Sequence, residues 1–560
     1  MVIRIRSFGL VLAVFWGLLA GCAGGGTSGE IGVAPKIEKP DYPALKASSD
    51  PSPNPGTFRD LLAIQPESGL SKGSDQADWY KDSVFYHVWV NAFKDSNGDG
   101  IGDISGITQK LDYLKNLGIT GLWLSPFFES ASEAINLHMY DTLDHFRVDP
   151  RFGTVGDVEN LLKEAHKRDI RLIFDWVPNH VAKQHPWFSE HKDWFVWRNE
   201  PGSQEGPWGQ SVWHKGLGDE YYYGVFWDGM PDLDYRNQSA KDAITNVAIY
   251  WLNKGFDGLR VDAVKYLYEH PYSIKGGYDD QPETIQYFQA FRKQVLDNFG
   301  SKVDAEGKGY HKFMVAENWT DSNESLIKYM VQDNRPAFHM TFDFPLAYAL
   351  SRRNPSQLRR IFEWQSKDLP KQAWMGTFLS NHDNVVNRPF SVHGEPLVRV
   401  PIALQLLGSG TPFVYYGNEI GMPDASQFAG ASHADRRHRQ PLDWAAVEAQ
   451  EKDPNSLLAL HKTLLEIRKN RVSLRRGEFE SLDLPGRGLL FTRTYGEEMT
   501  LVATNLVNRD MDIEMTLPDN LKAMKARLLF STNNQNIALE GGDLSGTLVP
   551  GGTAVWSLEP

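Results

Sequence analysis

The sequence predicts an α/β protein built on a (β/α)8 TIM barrel, with a subdomain inserted after the third strand and a C-terminal antiparallel β-sandwich. Three observations carry this. From about residue 80, eight short apolar runs alternate with amphipathic stretches of helical spacing, the pattern of parallel strands joined by helices. The connection after the third run, 178 to about 255, is too long for a bare loop. Beyond about 475 the runs become short strands parted by turn residues, as in a sandwich. A doubly wound open sheet is the rival, but it usually carries fewer strand–helix units.

At the N-terminus, Arg4 and Arg6 precede an apolar run from Phe8 to Ala20, short for a membrane span and suited to a secretory signal. The run ends in Leu19-Ala20-Gly21-Cys22, and Cys22 is the only cysteine, which excludes an intrachain disulfide. This stretch resembles the lipobox of bacterial lipoproteins. The resemblance implies cleavage before Cys22 and lipid attachment to its sulfur. Residues 1–21 are therefore expected to be a signal peptide, and 22–75, rich in Gly, Pro and Ser, a flexible tether. The protein would be exported and held on a periplasmic or cell-surface membrane face by lipid alone.

The barrel is expected at 76–180 and 246–474, the inserted subdomain at 181–245 and the sandwich at 475–560. The strand runs are 84–93, 118–127, 171–177, 256–264, 312–318, 338–344, 374–383 and 411–420. Between them, Val158, Leu161, Leu162 and Ala165 recur at helical spacing, as do Phe288, Phe291, Val295 and Phe299. In the last segment, strands are expected at 488–495, 499–506, 511–517, 526–532 and 552–558. The net charge of −13 argues against a nucleic-acid partner. Of the many aromatics, 17 are Trp, 21 Tyr and 29 Phe; rings stack on sugars, but they also fill cores.

Chemistry concentrates at the strand ends, where such barrels carry their active groups. The third run ends in FDWVPNH (Asp175, Asn179, His180), the fourth in GLRVDAVK (Arg260, Asp262, Lys265), the fifth in VAENW (Glu317) and the seventh in LSNHDN (His382, Asp383). Arg260 and Asp262 lie two apart, so a strand turns both to one face. A buried charge is costly unless paired. One mouth would thus gather four carboxylates, an arginine and two histidines.

These four segments, with MPDLD at 230–234 as a fifth, resemble the conserved regions of the α-amylase family of glycoside hydrolases (family 13), in order and at suitable spacing. The resemblance spans roughly 80 to 560. Within the family, the chain looks like members between the oligo-1,6-glucosidase and neopullulanase groups. It implies that Asp262 is the nucleophile, Glu317 the general acid/base and Asp383 the stabiliser of the oxocarbenium-like transition state. It further implies that His180 and His382 bond sugar hydroxyls, that Asp175 supports the pocket, and that Tyr140 stacks under the sugar with His138 nearby. Lys265 falls where the family contacts the leaving-group side. Arg260 is expected to hold Asp262 ionised at a lowered pKa, while an apolar wall and the charges of Asp262 and Asp383 raise Glu317. Two departures fall at substrate contacts: Tyr266 stands where many members have His, and Val386 where they have Arg, with Arg388 close by.

The loop DSNGDGIGD offers Asp95, Asn97, Asp99, Asp103 and the carbonyl of Ile101 as oxygen ligands, as an EF-hand loop begins. Gly106 stands where the closing Glu would be, so the EF-hand is incomplete. Similar loops bind calcium in some family members, and Ca2+ is the expected cofactor. The expected activity is retaining hydrolysis of α-1,4-glucosidic bonds in starch, maltodextrins or related α-glucans. The alternatives are a glucanotransferase, an exo-acting or α-1,6-preferring glucosidase, and a non-catalytic glucan-binding protein; relatives of the last kind lose carboxylates that this chain keeps.

Overall fold

A computed structural model describes residues 56–67, 69–132, 138–216, 218–270, 277–383, 386–428, 434–484 and 486–560. The expected signal peptide, Cys22 and most of the expected tether lie outside the described residues. Eight parallel strands close into a barrel: β1 Phe85–Val88, β2 Gly121–Leu124, β3 Arg171–Trp176, β4 Gly258–Val261, β5 Phe313–Ala316, β6 Met340–Phe342, β7 Met375–Phe378 and β8 Thr411–Tyr415. Each pairs with its neighbour in sequence, and β8 returns to β1. Every strand lies within its expected run and is shorter than it. At the mouth the apolar pattern continues while the backbone turns away, as at Val90–Phe93, which is a single helical turn.

Alternate residues point into the barrel. Phe85 stacks on Phe413 at 4.6 Å and on Phe313 at 5.7 Å, between ring centres. Glycine makes room for this layer. A Cβ at Gly121 would meet the Phe85 ring at 2.5 Å, and one at Gly258 the Phe313 carbonyl at 2.2 Å. Outside the barrel, the helix Val155–Lys167 starts from a Thr154/Asp157 capping box and buries Val158, Leu161, Leu162 and Ala165. The helix Pro282–Phe291 runs through a π-turn, Arg292–Leu296, into Asp297–Gly300; Phe288, Phe291, Val295 and Phe299 are all buried.

Two expected boundaries move. The tether was expected to reach residue 75, but Thr57 and Asp60 form a capping box on the helix Phe58–Ala63. Its Leu61 is buried, and Asn253 Nδ2 donates to the Leu61 carbonyl at 2.8 Å. Composition hid this helix because Pro, Gly and Ser crowd the residues before it. The inserted subdomain, expected to end at 245, ends earlier. Asn237 caps the helix Gln238–Asn253, which belongs to the barrel wall. The insert carries a three-stranded sheet of Trp197–Arg198, Tyr221–Tyr223 and Trp213–Lys215. It docks through the MPDLD segment: Val181 donates to the Pro231 carbonyl at 3.2 Å and Leu233 to the Asn179 carbonyl at 2.9 Å.

The C-terminal strands are β9 Glu478–Leu482, β10 Gly488–Tyr495, β11 Glu498–Asn505, β12 Met511–Thr516, β13 Lys525–Ser531, β14 Ile537–Glu540, β15 Asp543–Leu548 and β16 Thr553–Glu559. They form a sheet in the order β9-β10-β11-β16-β13 and another in the order β12-β15-β14. Leu490, Leu501 and Trp556 from the first share a buried cluster with Ile513, Leu544 and Leu548 from the second. The strands β9, β14 and β15 were not expected from the sequence.

Candidate active site

The register of β3, β4 and β5 sets the site. Asp175 pairs with Arg260, and Val261 with Ala316, so the next residues, Asp262 and Glu317, emerge side by side. Backbone bonds continue the ladder: Asp262 N donates to the Trp176 carbonyl at 2.9 Å and Glu317 N to the Val261 carbonyl at 3.0 Å. Arg260, only 1% exposed, binds three carboxylates. Its Nη1 lies 2.6 Å from Asp175 Oδ1 and 2.7 Å from Asp262 Oδ1, and its Nη2 lies 2.7 Å from Glu317 Oε2. The Asp262 and Glu317 carboxyls are also within hydrogen-bonding reach of each other. That leaves no room for a water between them, which an inverting glycosidase requires and a retaining one does not.

Electrostatics correct one expectation. Burial is the largest influence on Asp262; Arg260 opposes it, Asp175 and Asp383 add to it, and the carboxyl is raised to about 7. Arg260 does not hold it below the ordinary range because one guanidinium is divided among three acids. Glu317 is raised to about 7 by burial and then by Asp262, with Arg260 and the Ala263 N–H pulling down. Asp383, a third exposed to the cleft, is raised by burial and then by Glu317. The two central carboxyls act on each other, so their titrations are coupled.

Around this centre, the Tyr140 hydroxyl donates to Asp175 Oδ2 at 2.9 Å and lies 2.6 Å from His382 Nε2. Trp123 Nε1 also donates to Asp175, at 3.2 Å. His138 accepts the Tyr140 N–H on Nδ1 at 3.0 Å and sits further out. His180 is buried and held neutral, its pKa lowered to about 3 mainly by burial. Its Nδ1 lies 3.4 Å from Asn179 Nδ2. Lys265 stands apart from the central acids, 3.2 Å from Asp279 and 3.5 Å from Asp280.

The missing arginine is supplied from elsewhere. Val386 is buried, and Arg388 ties loops together through the carbonyls of Tyr416 at 2.7 Å and His438 at 2.8 Å. Arg439 instead reaches the site: Nη2 lies 3.3 Å from Asp383 Oδ1 and Nε donates to the His382 carbonyl at 3.0 Å. Sequence reasoning missed it because it lies 56 residues from Asp383 within the charged run RRHR. It also missed the buried carboxylate Glu269, raised by burial and then by Asp232 of the MPDLD segment, which burial itself raises.

The Asp95–Asp103 loop is shaped by its own backbone. Asp95 accepts N–H groups from Asn97, Gly98 and Gly100 at 2.7 to 3.0 Å, and Asp99 accepts that of Ile101 at 2.8 Å. Asp103 caps a helix through the Gly106 N–H at 2.6 Å. Its oxygen donors suit a hard cation, but among the described residues no three acids, histidines or cysteines gather as a metal-binding group. The expected set also draws on the Asn97 side chain and the Ile101 carbonyl, which are oxygen donors of another kind.

Residues 87–477 match the family model described as alpha amylase, catalytic domain. The chain is 31% identical over 497 residues to "Alpha-amylase 3" of Dictyoglomus thermophilum, covering 81% of this chain and 90% of the relative. It is 28% identical over 521 residues to "Glucan 1,6-alpha-glucosidase" of Streptococcus pneumoniae, covering 78% of this chain and 93% of that one. Among solved structures, the isomaltulose synthase of Protaminobacter rubrum aligns with a TM-score of 0.74 at 26% identity, over 86% of this chain and 99% of that chain. The alpha-amylase of H. orenii aligns with a TM-score of 0.70 at 27% identity, over 86% and 100%.

Proposed function

Because the chain belongs to the α-amylase family of glycoside hydrolases, we propose that it cleaves α-1,4-glucosidic bonds of starch, maltodextrins or related α-glucans with retention of configuration. The observation that supports this reading is the contact of Asp262 and Glu317 over a shared Arg260. In the first step Glu317 gives its proton to the glycosidic oxygen while Asp262 attacks the anomeric carbon. The leaving chain departs as a free hydroxyl, and a glycosyl ester forms on Asp262. In the second, Glu317, now a carboxylate, takes a proton from water, whose oxygen displaces Asp262. Two inversions give net retention. Asp383, fixed by Arg439, would hold sugar hydroxyls as positive charge develops on the ring. His180, His382 and Tyr140 would line the same sugar site, with His138 and Lys265 further out.

The test is the anomer first released from a malto-oligosaccharide, read by proton NMR before mutarotation. The α-anomer is expected; the β-anomer would remove the double-displacement reading. A second reading, glucosyl transfer or α-1,6 specificity, is favoured by the glucan 1,6-α-glucosidase among the relatives. Product time courses on amylose, pullulan and isomaltose, with disproportionation of maltotriose, separate these activities.

Two further proposals concern the chain outside the chemistry. Lipid attachment at Cys22 would hold the exported protein on a membrane; Cys22→Ala would then release it into the soluble fraction. Calcium on the Asp95–Asp103 loop would stiffen it without entering the reaction.

A further inference from the structure

The far end of the barrel carries a cavity of about 370 Å³, bordered by Arg292, Lys312, His311, His339, Asp78 and Asp297. That volume is within the range of small-molecule sites. It opens at the N-terminal ends of β5 and β6, away from the carboxylates of the mouth.

Its cations are poorly matched. Arg292 Nη1 donates to the carbonyls of Ala337 at 3.4 Å and Phe338 at 3.2 Å, and the guanidinium makes no ion pair among the described residues. Its Nε and Nη2 have no protein acceptor there. Lys312 is buried and gives one hydrogen bond, to the Phe256 carbonyl at 2.6 Å. His339 accepts the Met314 N–H on Nδ1, which leaves its hydrogen on Nε2 as a donor. Of the acids, Asp78 is already bound by Arg476 at 2.9 Å. Asp297 is exposed and is the one carboxylate at the cavity with no ion pair among the described residues.

A second feature points to the same place. Arg292 opens the π-turn, and Leu296, Asp297 and Gly300 of the same segment line the cavity. An extra residue in a helical turn disturbs regular hydrogen bonding, and such turns cluster at functional sites. Here it changes the phase of the helix at the point where Arg292 meets the cavity.

We propose that this cavity binds the phosphate group of a small ester, held by the Arg292 fork and by Lys312. A guanidinium matches an oxyanion bidentately, and Arg292 is half-buried with no ion pair among the described residues; Lys312 is buried near Asp257, which Arg171 and His166 already bind, and adds a second cation. The volume exceeds that of a bare phosphate and leaves room for a three- to six-carbon body.

The test is titration calorimetry of the full chain at fixed ionic strength, with inorganic phosphate, glycerol 3-phosphate and glycerol. Saturable binding of both phosphates, tighter for glycerol 3-phosphate, and none of glycerol is expected. Arg292→Gln should weaken binding about tenfold and leave starch hydrolysis unchanged. Asp297→Asn, at an exposed position, should tighten it. No saturable heat with either phosphate, equal affinity in Arg292→Gln, or unaltered or weaker binding in Asp297→Asn would overturn the assignment.

Discussion

Asp257 and Asp262 flank the same four-residue strand, β4, one at each end, and both are buried. Their environments drive them in opposite directions. At the floor, Asp257 lies 2.7 Å from Arg171 and 2.8 Å from His166, and accepts the Leu172 N–H at 2.9 Å. Burial would raise it, but His166 and Arg171 together hold it well below the ordinary carboxylate range. At the mouth, Asp262 shares one guanidinium with two other acids and is raised to about 7. Burial is common to both; the ratio of cations to carboxylates decides. The floor is built to keep its acid ionised. The mouth is built so that a proton stays within reach of the glycosidic bond.

The largest expected effect breaks the mouth alone. Asp262→Asn and Glu317→Gln should each lower turnover by on the order of 10⁴-fold, measured as reducing ends released. Neither should lower the melting temperature at pH 7, because each removes an acid that folding disfavours in its charged form. Turnover near that of the unaltered enzyme would sink the assigned roles.

Next come the counter-charges. Arg260→Leu leaves three carboxylates facing one another, and Asp257→Asn leaves Arg171 and His166 without their acid. Each should cost roughly 3–5 kcal/mol at pH 7, read from urea unfolding. The two should then part with pH. The Arg260→Leu penalty should shrink as acid neutralises the carboxylates, whereas Arg171 stays charged and the Asp257→Asn penalty persists at least to pH 5. Parallel pH responses would contradict the comparison.

The same contrast predicts the sign of stability with pH. Asp262 and Glu317 are raised to about 7, against about 4 in an unfolded chain. Between these values the folded state binds more protons, so their contribution to stability grows as pH falls from 7 towards 4. Asp257, being lowered, stabilises above the unfolded value and loses that contribution as pH drops through its folded pKa. Glu317→Gln should flatten the first slope, and Asp257→Asn should remove the loss at low pH. Activity should follow a bell, failing in alkali as Glu317 loses the proton it must give and in acid as Asp262 gains one.

The smallest effect concerns the Asp95–Asp103 loop. If calcium sits there, chelation should lower the melting temperature by a few degrees and leave the rate per folded molecule unchanged. An unaltered melting temperature would remove calcium from the account.

Much of the mouth was legible because strand parity and register act on sequence directly. Residues 260 and 262 share a face, and each barrel strand delivers its end residues to one rim. The boundaries were less legible. The mostly apolar residues 89–93 continue the strand pattern, yet Val90 to Phe93 pack as a helical turn. Arg439 was hidden because its partner is distant in sequence. The π-turn was hidden because Phe288, Phe291, Val295 and Phe299 keep an apolar rhythm through it. Asp257, at the start of the 256–264 run, gives no sign of its ion pairs until His166 and Arg171 are brought beside it by folding.

The central claim is that Asp262 becomes covalently bonded to the sugar. Incubation with a slow fluorinated α-glucosyl fluoride, followed by proteolysis and mass spectrometry, tests it most directly. A single glycosyl group on the peptide carrying Asp262, absent in Asp262→Asn, is the predicted result. A label on Glu317 or Asp383, or full turnover of the probe with no covalent species detected at any time, would contradict it.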